Sequence, residues 1–346
     1  MLPALTWAAE PKINHLFKLS DFNGTIPYGD VILHVDRQQN ETYAVLGHTV
    51  RIFNHSGMET FHFEAETARA TILDLFVDES GDIFLLTYDR QTRGLDRNWW
   101  ISRCNYRGEP IERIDVGGLP ADFAEFGPNL MLYRDGEVVL ISRSQMLVAT
   151  VDKSGAFLRG RDLAALLQID DPGVNEMLGF TIDRAGNMAF TVPVLFKVFV
   201  VAPDDTVRQF GTPGSAPGKF GIVSGIVSDE YGNYFVADRL RGVVMVFDST
   251  LAFVTELTRE TKRSLLNRPS RLAMGNDGRF LVTQSRNKGV SVFALKSVND
   301  RSTPDHLGIG SLAKGGSAES TETSTQSRNK DTVDPAGATV SSAYVD

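Results

Sequence analysis

The feature that most constrains this chain is an internal repeat. The stretch GNYFVADRLRGVVMVFD at residues 232–248 combines a glycine-bearing turn, an apolar run, a charged interruption and a second apolar run closing on Asp. The same grammar recurs six times. Its first turns are VDRQQN (35–40), VDESGD (77–82), YRDGE (133–137), IDRAGN (182–187), SDEYGN (228–233) and GNDGR (275–279). The third runs end near Asn54, Asn105, Asp152, Pro203, Asp248 and Ala294. A spacing of about 40 to 55 residues is that of propeller blades. Four short strands per repeat, six times over, predict an all-β fold, a six-bladed β-propeller of four-stranded antiparallel blades spanning 13–297. A blade packs against two neighbours, which accounts for the nearly continuous apolar character of Tyr234–Ala237 and Val243–Phe247.

The sixth repeat supplies three strands before the pattern stops, and an open sheet edge invites aggregation. INHLFKLSD (13–21) reads as the missing outer strand, an N-terminal latch that closes the ring. From about Val298 the chain is rich in Ser, Thr, Gly and Ala with little to bury, so 298–346 is expected to be a disordered tail. In MLPALTWAAEPKI, Thr6 and Ala8 suit the small positions before a signal-peptidase cut, without the basic start. Residues 1–12 therefore read either as the stump of an export signal, which would make the protein periplasmic or exported from a bacterium, or as a frayed terminus of a cytoplasmic one.

Blade five adds a resemblance. QFGTPGSAPGKFGIVSGIVSDEYGNYFVADRLRGVVMVFD (209–248) is similar to the NHL repeat, whose pattern runs FG, G-x-F, D-x-x-G-N, V-A-D and V-F-D. Phe210, Gly211, Gly218, Phe220, Asp229, Gly232, Asn233, Val236, Ala237, Asp238, Phe247 and Asp248 carry it. Blade six keeps Pro269, Gly278 and Asn287 but has Gln284 where blade five has Asp238, and Val243 and Gly289 stand where the family has Arg. The other blades match only in turn positions and apolar pattern. The resemblance implies the propeller fold. It also implies two activities to weigh, since some NHL domains bind RNA on a basic face and related propellers are lyases or lactonases with metal ligands drawn from several blades.

Net charge −8 weighs against a nucleic-acid partner, whose affinity rests on basic charge. No run approaches the roughly 18 apolar residues of a membrane-spanning helix, so no membrane insertion is expected. The single cysteine, Cys104, excludes an intrachain disulfide and reads as a packing thiol. Histidines 34, 48, 55 and 62 all fall in blade one, which does not make a ring of ligands from separate blades and leaves only a local site to consider. Asp78, Ser80 and Asp82 alternate as at the start of a calcium loop but lack the distal Glu, and a plain turn is the simpler reading. No catalytic, cofactor or metal site is expected.

Propeller connectivity sends the tight turns to one end and the longer segments 89–100, 116–127, 160–173 and 211–221 to the other. That second end gathers Trp99, Trp100, Phe123 and Phe126, the expected contact residues for another protein. Asp162 is placed to cap a short helix with Leu163, Leu166 and Leu167 packed beneath. A basic run of Arg239, Arg241, Arg263, Arg268 and Arg271, with Arg259 and Lys262, is the alternative anion or RNA surface, although no aromatics interleave with it. The expectation is a monomeric, non-catalytic, protein-binding scaffold; a metal-dependent lyase or hydrolase at the central channel is the alternative.

Overall fold

The computed structural model describes residues 12–21, 24–25, 31–65, 70–89, 98–257, 266–276, 278–284 and 289–296. The tail 298–346 lies outside them, as do Arg259, Lys262 and Arg263. Six four-stranded antiparallel sheets form the ring of a six-bladed β-propeller. Blade one, from the axis outward, is Ile32–Asp36, Glu41–Leu46, Thr49–Phe53 and Glu59–Glu64. Blades two to five begin at Ala70–Val77, Leu130–Arg134, Phe180–Ile182 and Val223–Ser228 and end at Pro110–Ile114, Phe157–Asp162, Val207–Phe210 and Phe253–Leu257. In blade six, Pro269–Met274, Arg279–Gln284 and Gly289–Lys296 are followed outward by Lys12–Lys18. That N-terminal strand runs antiparallel to Gly289–Lys296, with Ile13 opposite Leu295 and Lys18 opposite Ser291.

The core is divided among the gaps between blades, and strand parity explains how. In blade five, Tyr234, Val236, Met245 and Phe247 pack with Ala189, Val198 and Val200 of blade four. The alternate residues Phe235, Ala237, Val244 and Val246 pack with Leu272, Phe280, Val282 and Phe293 of blade six. Period-two side chains on strands buried from both sides give the unbroken apolar runs seen in the sequence. Near the axis the first strands of blades four, five and six touch through glycine. A Cβ on Gly179 would lie 2.4 Å from the Ser224 carbonyl oxygen, and one on Gly225 2.3 Å from that of Ser270.

The turn end is held by repeated local chemistry. Asn54, Asp78, Asn105, Asp152, Asp229 and Asp248 each accept backbone N–H groups two and four residues on through Oδ1. An Asx turn of this kind satisfies donors that a bend would otherwise strand. In Asp78-Glu79-Ser80-Gly81-Asp82, Asp78 also takes the Lys153 ammonium at 2.8 Å and Asp82 pairs with Arg103, so these acids are occupied in a turn. The opposite end carries the longer connections. One contains the short helix Leu163–Leu167, whose N-cap Asp162 accepts from the Ala165 amide at 2.9 Å, with Leu163 fully buried.

Candidate functional site

The aromatic group expected at the connection end is brought together but buried. Trp99 begins the third strand of blade two, Trp99–Cys104, and is 5 % exposed; Phe123 and Phe126 are 5 % and 3 % exposed. Phe126 meets Trp99 edge-on at 6.0 Å and accepts the indole N–H on its carbonyl at 3.0 Å. Phe123 lies 5.4 Å from Phe126 and packs over Gly160. These three rings seal the gap between blades two and three, which corrects their assignment to an open docking surface. Trp100 is corrected differently. Neighbours on a strand point to opposite faces, so its ring lies on the blade-one side, under the Arg113 guanidinium at 4.4 Å, with its N–H on Ser102. The two tryptophans do not share a surface.

The basic group divides as well. Arg241 is spent internally, on Glu256 at 2.5 Å and the Lys219 carbonyl at 2.9 Å, which removes it from an anion surface. Arg268 is exposed in a left-handed backbone conformation, φ 51°. Arg239 follows the second strand of blade five, and its Nε is buried with no hydrogen-bond partner among the described residues. Arg271 lies on the first strand of blade six, in electrostatic contact with Asp74 of blade two. Arg263 falls outside the described residues.

What the connection end does expose is apolar. Val174 (62 %), Val194 (55 %), Leu195 (37 %), Ile222 (44 %) and Leu240 (69 %) all lie on connections or turns of this end, in and around blades four and five. Their placement starts from Asp238, the last residue of the second strand of blade five and fully buried. Its carboxylate accepts the backbone N–H groups of Gly221, Ile222, Leu240 and Arg241 at 2.6 to 3.1 Å. One carboxylate thus ties together the two loops that carry the exposed Ile222 and Leu240. In blade four the 3-10 turn Pro193–Leu195 presents its two apolar side chains because Phe196, in a left-handed conformation, closes the turn back onto the Pro193 carbonyl. The Asp of the repeat was visible in the sequence; the exposure of its neighbours was not.

A second feature sits on the inner strand of blade two. Asp74 interrupts the apolar run ATILDLFV at a bulge between Ile72 and Asp74 and is 7 % exposed. Its oxygens accept from the Leu75 amide at 2.9 Å and from the Met131 amide of blade three at 2.8 Å. Burial holds the carboxyl up at about 6, against the pull of Arg271, the two amides and Arg143. A raised pKa favours the protonated form in the fold. Its stabilising contribution is therefore complete below about pH 4 and is lost as pH rises through about 6. Relative to Asp74→Asn, the wild type is expected to lose on the order of 3 kcal/mol of stability between pH 4 and 7.5, measured by urea unfolding. A difference that does not change with pH would show that this carboxyl titrates normally.

The histidines do not converge. His34, on the inner strand of blade one, accepts the Val77 amide on Nε2 at 3.3 Å, and burial pushes its pKa down to about 4. His62 lies 2.8 Å from Glu59 on the outer strand, and His48 faces Glu64 at 3.9 Å. Among the described residues no three of His, Cys, Asp and Glu come together as metal ligands, and no helix is long and apolar enough to cross a membrane.

No protein-family model matches the chain, and no curated protein matches it. The likeness to NHL repeats therefore rests on the residues of blades five and six alone. Solved structures do match. A streptogramin B lyase is 13 % identical with a TM-score of 0.53, over 84 % of this chain and 99 % of that one. A luciferin-regenerating enzyme is 12 % identical, TM-score 0.55, over 84 % and 96 %. A gluconolactonase from Xanthomonas campestris is 14 % identical, TM-score 0.53, over 83 % and 95 %. At such identities the likeness is one of fold: this chain shares the six-bladed β-propeller with enzymes of several kinds.

Proposed function

We propose that this chain is a non-catalytic protein-binding scaffold, NHL-like in its last two blades, and that it docks a partner on the connection end of blades four and five. The observation that carries the reading is the outward-facing set Val174, Val194, Leu195, Ile222 and Leu240. Apolar side chains that leave one end of the ring on neighbouring connections are placed to form an interaction surface, because water gains when they are covered. Export from a bacterium and a monomeric state are the setting we assign to it. Leu240→Asp and Val194→Asp replace side chains that are mostly exposed, so each should leave the melting temperature within a few degrees. Each should weaken capture of the native partner by about 30-fold or more, the mark of a hot spot at about 2 kcal/mol. Quantitative cross-linking capture from the native cell tests this. Equal recovery by wild type and both variants would overturn the reading.

A second reading, catalysis at the central channel, is favoured by Asp74 alone, a buried carboxyl titrating at about 6 in a fold shared with a lyase and a gluconolactonase. Both of its oxygens are taken by backbone amides, and the charges acting on it are the cations Arg271 and Arg143. This set does not fit a divalent metal, so Asp74 would serve as an acid or base. Turnover of any lactone that Asp74→Asn abolishes would promote this reading.

A further inference from the structure

The gap between blades three and four is filled differently from the one before it. In blade two, the pair nearest the first turn on the face toward blade three is Phe76 opposite Phe84, stacked at 4.7 Å. Tyr133 of blade three stacks on Phe76, also at 4.7 Å, so three rings close that gap. The corresponding pair in blade three, facing blade four, is Leu132 opposite Val139, with Arg134 opposite Glu137 one pair nearer the turn on the same face. Charged heads on flexible stems turn toward water and do not fill a gap as rings do. Blade four brings only Ile182, Met188, Gly186 and Pro203 to the opposite wall. The result is an open crevice of about 380 Å³. That is room for about a dozen waters at about 30 Å³ each, within the size range of ligand sites.

Three guanidinium groups line this crevice, and all are held in position. Arg134 bonds the Asp183 and Arg184 carbonyls in the first turn of blade four. Arg161 bonds the Ala202 and Pro203 carbonyls, at 3.1 and 2.5 Å. Arg159 grips Glu137 through both terminal nitrogens. With Asp135 on Arg134 and Asp205 3.4 Å from Nε of Arg161, these contacts engage three of the five donors of Arg134, two of Arg159 and three of Arg161. Val139 and Val148 form the apolar floor. Each guanidinium has a carboxylate within ion-pair distance, Asp135 for Arg134, Glu137 for Arg159 and Asp205 for Arg161. Asp135, Asp205 and Arg159 are 83 %, 58 % and 59 % exposed, where water screens them, which leaves Arg134, Arg161 and Glu137 as the less screened charges. On a chain of net charge −8 this is one positive charge in excess over an apolar floor.

We propose that the crevice between blades three and four binds a small organic anion with an apolar body, a monocarboxylate or monosulfonate of about a dozen non-hydrogen atoms or somewhat more. The anionic group meets the remaining donors of Arg159 and Arg161, and the body lies on Val139, Val148 and Met188. This site is on the opposite end from the proposed docking surface, so either can fail without the other. The test is titration of the full chain with anilinonaphthalene sulfonate, followed by fluorescence. One saturable site is expected, displaced by octanoate and not by octanol. Arg159→Gln, which removes a side chain 59 % exposed, should weaken binding about tenfold or more with an unchanged melting curve. Ile182→Tyr with Met188→Phe should abolish binding by filling the crevice with rings. Absence of a saturable site, equal displacement by octanol, or full binding in Arg159→Gln would each overturn the proposal. If the double variant does not fold, the Arg159→Gln result decides.

Discussion

Removal of residues 1–19 is expected to lower the melting temperature by roughly 10–20 °C. The deletion strips blade six of its outer strand Lys12–Lys18, with six backbone pairings to Gly289–Lys296. It also removes Ile13 and Leu19, which are 2 % and 1 % exposed and belong to the cores on either side of blade six. Two such side chains are worth about 2–5 kcal/mol each, and for a domain of this size each kcal/mol moves the midpoint by about 2–4 °C. The bared strand would also offer unpaired N–H and C=O groups to other chains, so concentration-dependent association should accompany the loss. Leu16→Lys is the control, because Leu16 lies on the same strand but is 44 % exposed; it should cost under about 0.5 kcal/mol. Calorimetry and light scattering on the three proteins check both effects. A deletion variant that melts within about 3 °C of the parent, on the same scale, would mean that the ring is closed without this strand.

The adjacent tryptophans should separate just as clearly. Trp99→Ala empties a site packed against Phe126 and leaves the Phe126 carbonyl without its indole donor. A cost of about 3–5 kcal/mol follows from truncating a buried aromatic. Trp100→Ala loses a half-buried ring, the guanidinium above it and one side-chain hydrogen bond. These sum to about 1–2 kcal/mol. Urea unfolding of the two single variants measures both. If Trp100→Ala were the more damaging, the assignment of strand faces in blade two would be reversed.

The number of blades, the turns and the pairing of strands within each blade were legible in the sequence because they rest on local chemistry. Asp or Asn followed by Gly at set distances forms an Asx turn whatever surrounds it, as at Asp78, Asp152 and Asp229. A run such as YFVAD declares itself a strand with two buried faces. Asp238 was legible through the NHL-like wording of its blade, and the capped helix through Asp162 and the leucines after it.

What lies against a strand was not legible, because it arrives from the neighbouring blade. In the sequence the pair Trp99-Trp100 reads as part of an exposed insertion, yet the strand begins at Trp99, and period-two geometry sends the two rings into different gaps. Phe123 and Phe126 look like surface aromatics on a long connection until Trp99 and Phe157, from two other segments, close over them. Leu240 lies two residues after a buried Asp and precedes an ion-paired Arg, and only the packing of blade five leaves it 69 % exposed. Asp74 is a charge in an apolar strand; its partners Met131 and Arg271 come from blades three and six. The crevice between blades three and four is the plainest case. Arg134 and Glu137 read as ordinary turn flanks in the sequence, and they become a site only where the ring sets them beside Leu132 and Val139, which stand where Phe76 and Phe84 fill the gap before. Turn chemistry acts over a few residues, whereas burial is decided by atoms that the ring brings together from about 50 residues away.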